Sequence, residues 1–143
     1  DRRIVLVDGG ANVDERASTL VDFAIAGSAF AEAFLGIENP KVGLLNMGEE
    51  EHKGPAVLQE TYQLLKSAPV NFMGNIEGRD LIAGKADVVA CSGYTGNVVL
   101  KLLEGFFEMH QEMFGTIDTP AGKRFAEMWD YRATGGALLL GLQ

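Results

Sequence analysis

Hydrophobic residues along this chain follow two periods. Ile4 to Val7, Lys41 to Asn46, Val70 to Met73 and Val88 to Cys91 are short, largely apolar runs, the pattern of strands buried on both faces. Between them apolar positions recur every three or four residues, the period of a helix with one face on a core. Leu20, Ala24, Gly27, Ala31 and Phe34 form the first such stripe, and Phe23 and Phe30 widen it. Asp14 is placed to cap this helix, Glu15 lies in its first turn, and Gly36 follows its end near Leu35. Its small residues Ala24, Gly27, Ser28 and Ala31 let a neighbour approach closely. Val57, Leu58, Tyr62 and Leu65 mark a second helix that ends near Ser67, before Pro69. Gly74 to Asp80 reads as a loop, and Leu81 and Ile82 begin a short turn ending at Gly84.

A longer helix is predicted after Asn97, with Val98, Val99, Leu102, Leu103, Phe106, Phe107, Met113 and Phe114 on a broad apolar stripe. Core packing, a partner subunit or an acyl chain would each account for that breadth. Gly115 ends this helix, and Thr119-Pro120 opens another that runs to Trp129. Residues 130–136 read as a turn before a final apolar strand. Strands and helices thus alternate about five times, with connections long enough for helical crossovers. The expected fold is α/β: one domain over residues 1–143, a doubly wound, mostly parallel sheet with helices on both faces.

Charge and cysteine content narrow the function classes. The net charge is −8, with 20 acidic against 12 basic residues, which argues against a nucleic-acid partner. The single cysteine, Cys91, cannot form an internal disulfide, and a reducing cytoplasm fits it. No apolar run is read as approaching the roughly 20 residues of a membrane-spanning helix. Asp1-Arg2-Arg3 runs straight into a strand, and the last residues are apolar with no closing element. Both ends suggest a fragment of a longer protein.

In a parallel sheet all strand-to-helix loops lie at one edge, so residues 8–14, 48–54, 74–80 and 92–97 should converge. They offer Asn12, Lys53, Asn75, Arg79 and Asn97 as donors, and Asp8, Asp14, Glu49, Glu50, Glu77 and Asp80 as acceptors. The stretch ADVVACSGYTGNVVLK (86–101) reads strand, glycine turn, helix. A helix start suits an anion. Gly93 and Gly96 would let the backbone approach a ligand, Thr95 could cap the helix, and Asn97 could donate an amide. An ordinary βα turn is the plainer reading of the same residues. No GxGxxG or GxxxxGK[ST] motif occurs. His52 and His110 stand apart from any Cys or His cluster, so no metal site is expected. The run Glu49-Glu50-Glu51 could bind a divalent ion or simply be solvated. Cys91 reads as a buried small residue, and Arg79-Asp80 as either a surface ion pair or a ligand contact.

DGGANVD (8–14), KVGLLNMGEEEHKG (41–54), NFMGNIEGRD (71–80), ADVVACSGYTGNVVLK (86–101) and DYRATGGALLLG (130–141) closely resemble the bacterial PlsX phosphate acyltransferase family. The resemblance covers the middle to late part of that family's length. It implies a fold related to phosphotransacetylases and isocitrate-dehydrogenase-like enzymes. It implies transfer of a fatty acyl group from acyl carrier protein to inorganic phosphate, giving acyl phosphate for phospholipid synthesis. No cofactor is implied. Family members are cytoplasmic homodimers that meet the inner face of the membrane. Lys53 matches the lysine of the GEExxKG loop and Asn97 the asparagine of the GxTGN loop, so these two are the catalytic candidates. Asn12, Gly48, Glu49, Gly54, Asn75, Glu77, Arg79, Gly93, Thr95 and Gly96 are the candidate substrate-binding positions. Pro55 and Ser92 depart from the family's usual asparagine and aspartate, and the segment 106–129 is shorter than its amphipathic hairpin. Two other readings stand beside this one: a phosphotransacetylase-like enzyme using coenzyme A thioesters, and a non-catalytic folding or dimerisation fragment.

Overall fold

The computed structural model describes residues 3–13, 15–115 and 118–129. It divides into two compact units, residues 1–97 and 98–143. The first unit holds β1 (Val5–Val7), α1 (Ala17–Leu35), β2 (Lys41–Leu45), α2 (Ala56–Leu65), β3 (Asn71–Ile76), α3 (Gly78–Ala83) and β4 (Val88–Ala90). The last helices are α4 (Gly93–Phe114), whose first turn belongs to the first unit, and α5 (Pro120–Trp129).

Among the described residues the sheet has four strands in the order β1-β4-β2-β3, each pairing parallel. Val5 pairs with Val88, Val42 with Val88, and Leu44 with Ala90, so β4 is inserted between β1 and β2. Parallel neighbours require helical crossovers, and these flank the sheet. Ala24, Ala31, Val42, Leu44, Leu65, Val88 and Ala90 form the core between sheet, α1 and α2. Each large aliphatic side chain so buried stabilises the fold by about 1.5–3 kcal/mol. A Cβ on Gly27 would stand 2.6 Å from Val88 Cγ1 and 3.0 Å from Val7 Cγ1, so α1 seats directly on the strands there.

Several sequence expectations change. α1 starts at Ala17 with Arg16 at its cap position and without a side-chain capping hydrogen bond from Arg16; the expected cap, Asp14, lies outside the described residues. Its end at Gly36, in the left-handed region at φ 68°, is as expected. Phe34 leaves the buried stripe and is exposed, stacked on Phe30 at 4.9 Å. By length and composition α1 could also cross a membrane, contrary to the expectation that no segment would. Leu20, Ala24, Gly27 and Ala31 pack into the core, while 28% of that apolar stretch is buried. β3 runs on through Ile76 instead of stopping at Met73. Gly74, at φ 104°, absorbs a register shift beside Val42/Gly43, and the strand continues past it. α3 begins at Gly78, not Leu81, because Glu77 and Asp80 close a reciprocal capping box. α4 begins at Gly93, five residues before the expected start.

In the second unit, Val98, Leu102, Phe106, Met109, Met113 and Phe114 are exposed, while Phe107 is buried. Thr119 caps α5 by accepting from Gly122 N–H at 3.1 Å. The expected final strand lies outside the described residues.

Candidate functional site

All four loops leave the carboxyl edge of the parallel sheet, and in sheet order they form two joints. The first joins the loop after β1 to the start of α4. Asp8, which follows a cis peptide bond, is buried and folds the loop around its carboxylate. Its Oδ1 accepts from the N–H groups of Gly10 (2.8 Å) and Ala11 (3.0 Å), and its Oδ2 from that of Asn12 (2.6 Å). Those donors are thus turned inward onto the protein's own carboxylate. A Cβ on Gly93 would collide with the Asn12 carbonyl, and one on Gly96 with the Asp8 carbonyl. The two glycines therefore serve backbone packing between loop and helix, where the sequence suggested an approach to a ligand. Asn97 lays its side chain over Gly10, whose φ is 127°, and is itself exposed.

Ser92, not Thr95, caps α4. Its Oγ accepts from the Thr95 N–H at 3.2 Å and lies 3.1 Å from Thr95 Oγ1. Cys91, just before it, donates its thiol to the Asp8 carbonyl at 3.5 Å. Burial first, and the Asp8 carboxylate second, push that thiol up to about 12 from an ordinary 9.0, so it is inert as a nucleophile.

The second joint ties the loop after β2 to β3 and, through Glu49 and Lys85, to the segment that follows α3. Asn46, at the end of β2, donates Nδ2 to the Lys53 carbonyl at 3.0 Å, and its Oδ1 accepts from Met47 N–H at 2.8 Å. Asn75 lies on β3, not in a loop, and is buried. It donates to the Glu50 carbonyl at 2.9 Å, which also accepts from Lys53 N–H at 3.0 Å. The Lys53 stem passes over Gly48, where a Cβ would stand 3.0 Å from its Cγ. The ammonium is half-exposed and 3.9 Å from Glu50 Oε1, a loose pairing.

The three consecutive glutamates face three directions. Glu49 binds Lys85 at 2.6 Å, Glu50 faces Lys53, and Glu51 accepts from Gln63 at 2.5 Å and faces Lys66 at 3.5 Å. The Gln63 amide holds the Glu51 carboxyl below its usual range, and the Glu49 hydrogen bond raises Lys85. Among the described residues no group of three His, Cys, Asp or Glu is placed to hold a metal.

Glu77 and Arg79 stay outside both joints. They pair with each other at 2.6 Å where α3 begins, with Arg79 largely exposed. Asp80 accepts from Glu77 N–H at 2.9 Å, which together with Lys85 and Arg79 holds its carboxyl low. Arg79 thus pairs with Glu77 rather than Asp80.

Because β4 and β2 are neighbours, the two joints lie side by side. A cleft of about 330 Å³ opens between them. Its floor is apolar (Leu20, Leu45, Val57, Leu58, Cys91), and its rim carries Asn46, Met47 and Pro55 from one joint, Ser92 and Thr95 from the other, and the carboxylate residue Glu15. Amide and hydroxyl groups above an apolar floor suit a polar group attached to an apolar one, and neither Lys53 nor Asn97 is among the lining residues. Asn46 is not among the residues the sequence singles out, and Asp8 is named there only as a loop acceptor. An Asp before Gly-Gly is a signal for side chain-to-backbone bonding two residues on, but Asn46 meets a partner seven residues away, which no local pattern announces.

A family model described as "Fatty acid synthesis protein" matches residues 1–143. A phosphate acyltransferase of Desulfitobacterium hafniense is 48% identical over 152 residues, covering 96% of this chain and 45% of that protein. A phosphate acyltransferase of Nitratidesulfovibrio vulgaris is 47% identical over 154 residues, covering 98% and 45%. One from Bacillus cereus is 45% identical over 152 residues, covering 97% and 46%. The chain spans about half the length of the curated relatives it matches.

Proposed function

Because the chain belongs to the fatty acid synthesis protein family, we propose that it supplies the catalytic rim of a phosphate acyltransferase. The reaction moves a fatty acyl group from acyl carrier protein to inorganic phosphate, and the acyl phosphate feeds phospholipid synthesis. A phosphate oxygen adds to the thioester carbonyl; the tetrahedral oxyanion collapses; the carbon–sulfur bond breaks; and the carrier's thiolate leaves and takes up a proton. Phosphate is itself the nucleophile, so the protein's tasks are to hold it in line and to stabilise the oxyanion. Lys53 supplies the cation and Asn97 a positioning amide.

One observation carries this reading: the loop bearing Lys53 and the helix start bearing Asn97 follow neighbouring parallel strands, β2 and β4, and residues near them in sequence, Asn46, Met47, Ser92 and Thr95, line one cleft. The similar phosphate acyltransferases supply the substrate class. The doubly wound, phosphotransacetylase-like and isocitrate-dehydrogenase-like arrangement with helices on both faces belongs to the same proposal. So do a homodimer, a cytoplasmic location and peripheral contact with the membrane's inner face.

The test is an assay of the full-length protein with phosphate and either hexadecanoyl-acyl carrier protein or hexadecanoyl-coenzyme A. Phosphate-dependent release of the carrier's thiol, with coenzyme A release much slower, is expected. Preference for coenzyme A would favour the phosphotransacetylase-like reading. Release from neither substrate would contradict the proposal.

A further inference from the structure

The lysine-bearing loop is held by more than its own turn. Asn46 N–H donates to the Ile76 carbonyl at 2.8 Å, fixing the end of β2 to β3. From that anchor the Asn46 carboxamide reaches both ends of the following segment, accepting from Met47 N–H and donating to the Lys53 carbonyl. Residues 47–53 are thereby closed into a ring with one side chain as the clasp. The clasp is packed as well as bonded. Gly54, at φ 82°, lies so close that a Cβ there would run into Asn46 Oδ1. The middle of the ring is pinned separately, by Asn75 to the Glu50 carbonyl.

We propose that Asn46 is a positioning residue that acts through Lys53. With its carbonyl clasped, its N–H bonded to Glu50 and its stem against Gly48, Lys53 keeps freedom only near its ammonium. The clasp therefore sets where the cation meets an oxyanion. This deepens the phosphate acyltransferase reading and rests on it.

The test uses the full-length protein and thiol release from acyl carrier protein. Asn46→Asp keeps the acceptor for Met47 but removes the donor to Lys53. Gly54→Ala disturbs the same clasp from the opposite side, so the test does not rest on one variant's folding. In both, kcat is expected to fall roughly 10- to 100-fold, the cost of a misplaced catalytic group. KM for the acyl carrier protein should stay close to that of the unmodified protein; the melting temperature should fall in both variants, through backbone strain at φ 82° in Gly54→Ala and a lost donor in Asn46→Asp, so turnover is read well below both melts. Added to Lys53→Met, Asn46→Asp should cost little more, because the group it positions is already gone. Normal turnover in Asn46→Asp beside a crippled Lys53→Met overturns the clasp alone. So does an Asn46→Asp effect of equal size with and without Lys53. Full turnover in Lys53→Met overturns the underlying reading of Lys53, and the role of Asn46 with it.

Discussion

Gly96 sits so close to the main-chain carbonyl of Asp8 that no side chain fits between them. This contact joins the first turn of α4 to the loop after β1. Gly96→Ala should therefore destabilise the fold by at least about 2 kcal/mol through forced backbone displacement. Gly105→Ala, in the same helix with nothing within 4 Å, should stabilise it by about 0.5–1 kcal/mol through helix propensity. Thermal melts of the two variants check both signs.

Asp8 is expected to organise that loop rather than to react. Asp8→Asn would turn an amide donor toward one of the N–H groups now bound to the carboxylate. A loss of about 2–3 kcal/mol follows from a charged acceptor replaced by a mismatched one. Urea unfolding measures it; an unchanged midpoint would contradict the inward-facing loop.

Cys91 gives a pH signature. In the folded chain its thiol holds its proton to about 12, whereas the unfolded thiol releases it near 9.0. Rising pH therefore favours the unfolded state once it passes the lower value. Cys91's part of the stability is present below pH 9 and declines above it, with a slope approaching about 1.4 kcal/mol per pH unit. Cys91→Ala should remove that slope. In the native protein at pH 8 the thiol should resist iodoacetamide and react only after denaturation.

Much of the scaffold is legible because its signals are local. Val88 to Ala90 is an unbroken apolar run, Gly36 ends α1 in the left-handed region, and Thr119-Pro120 opens α5. The failures share a cause: glycine punctuates a sequence but does not say what it contacts. Gly74 reads as a turn, yet its φ of 104° lets β3 pass through a register shift. Gly93 and Gly96 are poor helix formers that look like a loop, but they open α4 because loop packing overrides propensity. The edge at which the loops meet followed from parallel topology. Their division into two joints did not, because the order β1-β4-β2-β3 depends on which strand inserts between which.

The account turns on Lys53 and Asn97 acting on one ligand across the cleft, and a double-mutant cycle measures that directly. Steady-state turnover with phosphate and acyl carrier protein is compared for Lys53→Met, Asn97→Ala and the double variant of the full-length protein. Lys53→Met should lower kcat at least about 100-fold with the fold intact, the order for losing an oxyanion donor. The double variant should lose less than the product of the single effects, a coupling of about 1 kcal/mol or more. Near-normal turnover in Lys53→Met, or single effects that multiply without shortfall, would contradict a shared oxyanion site.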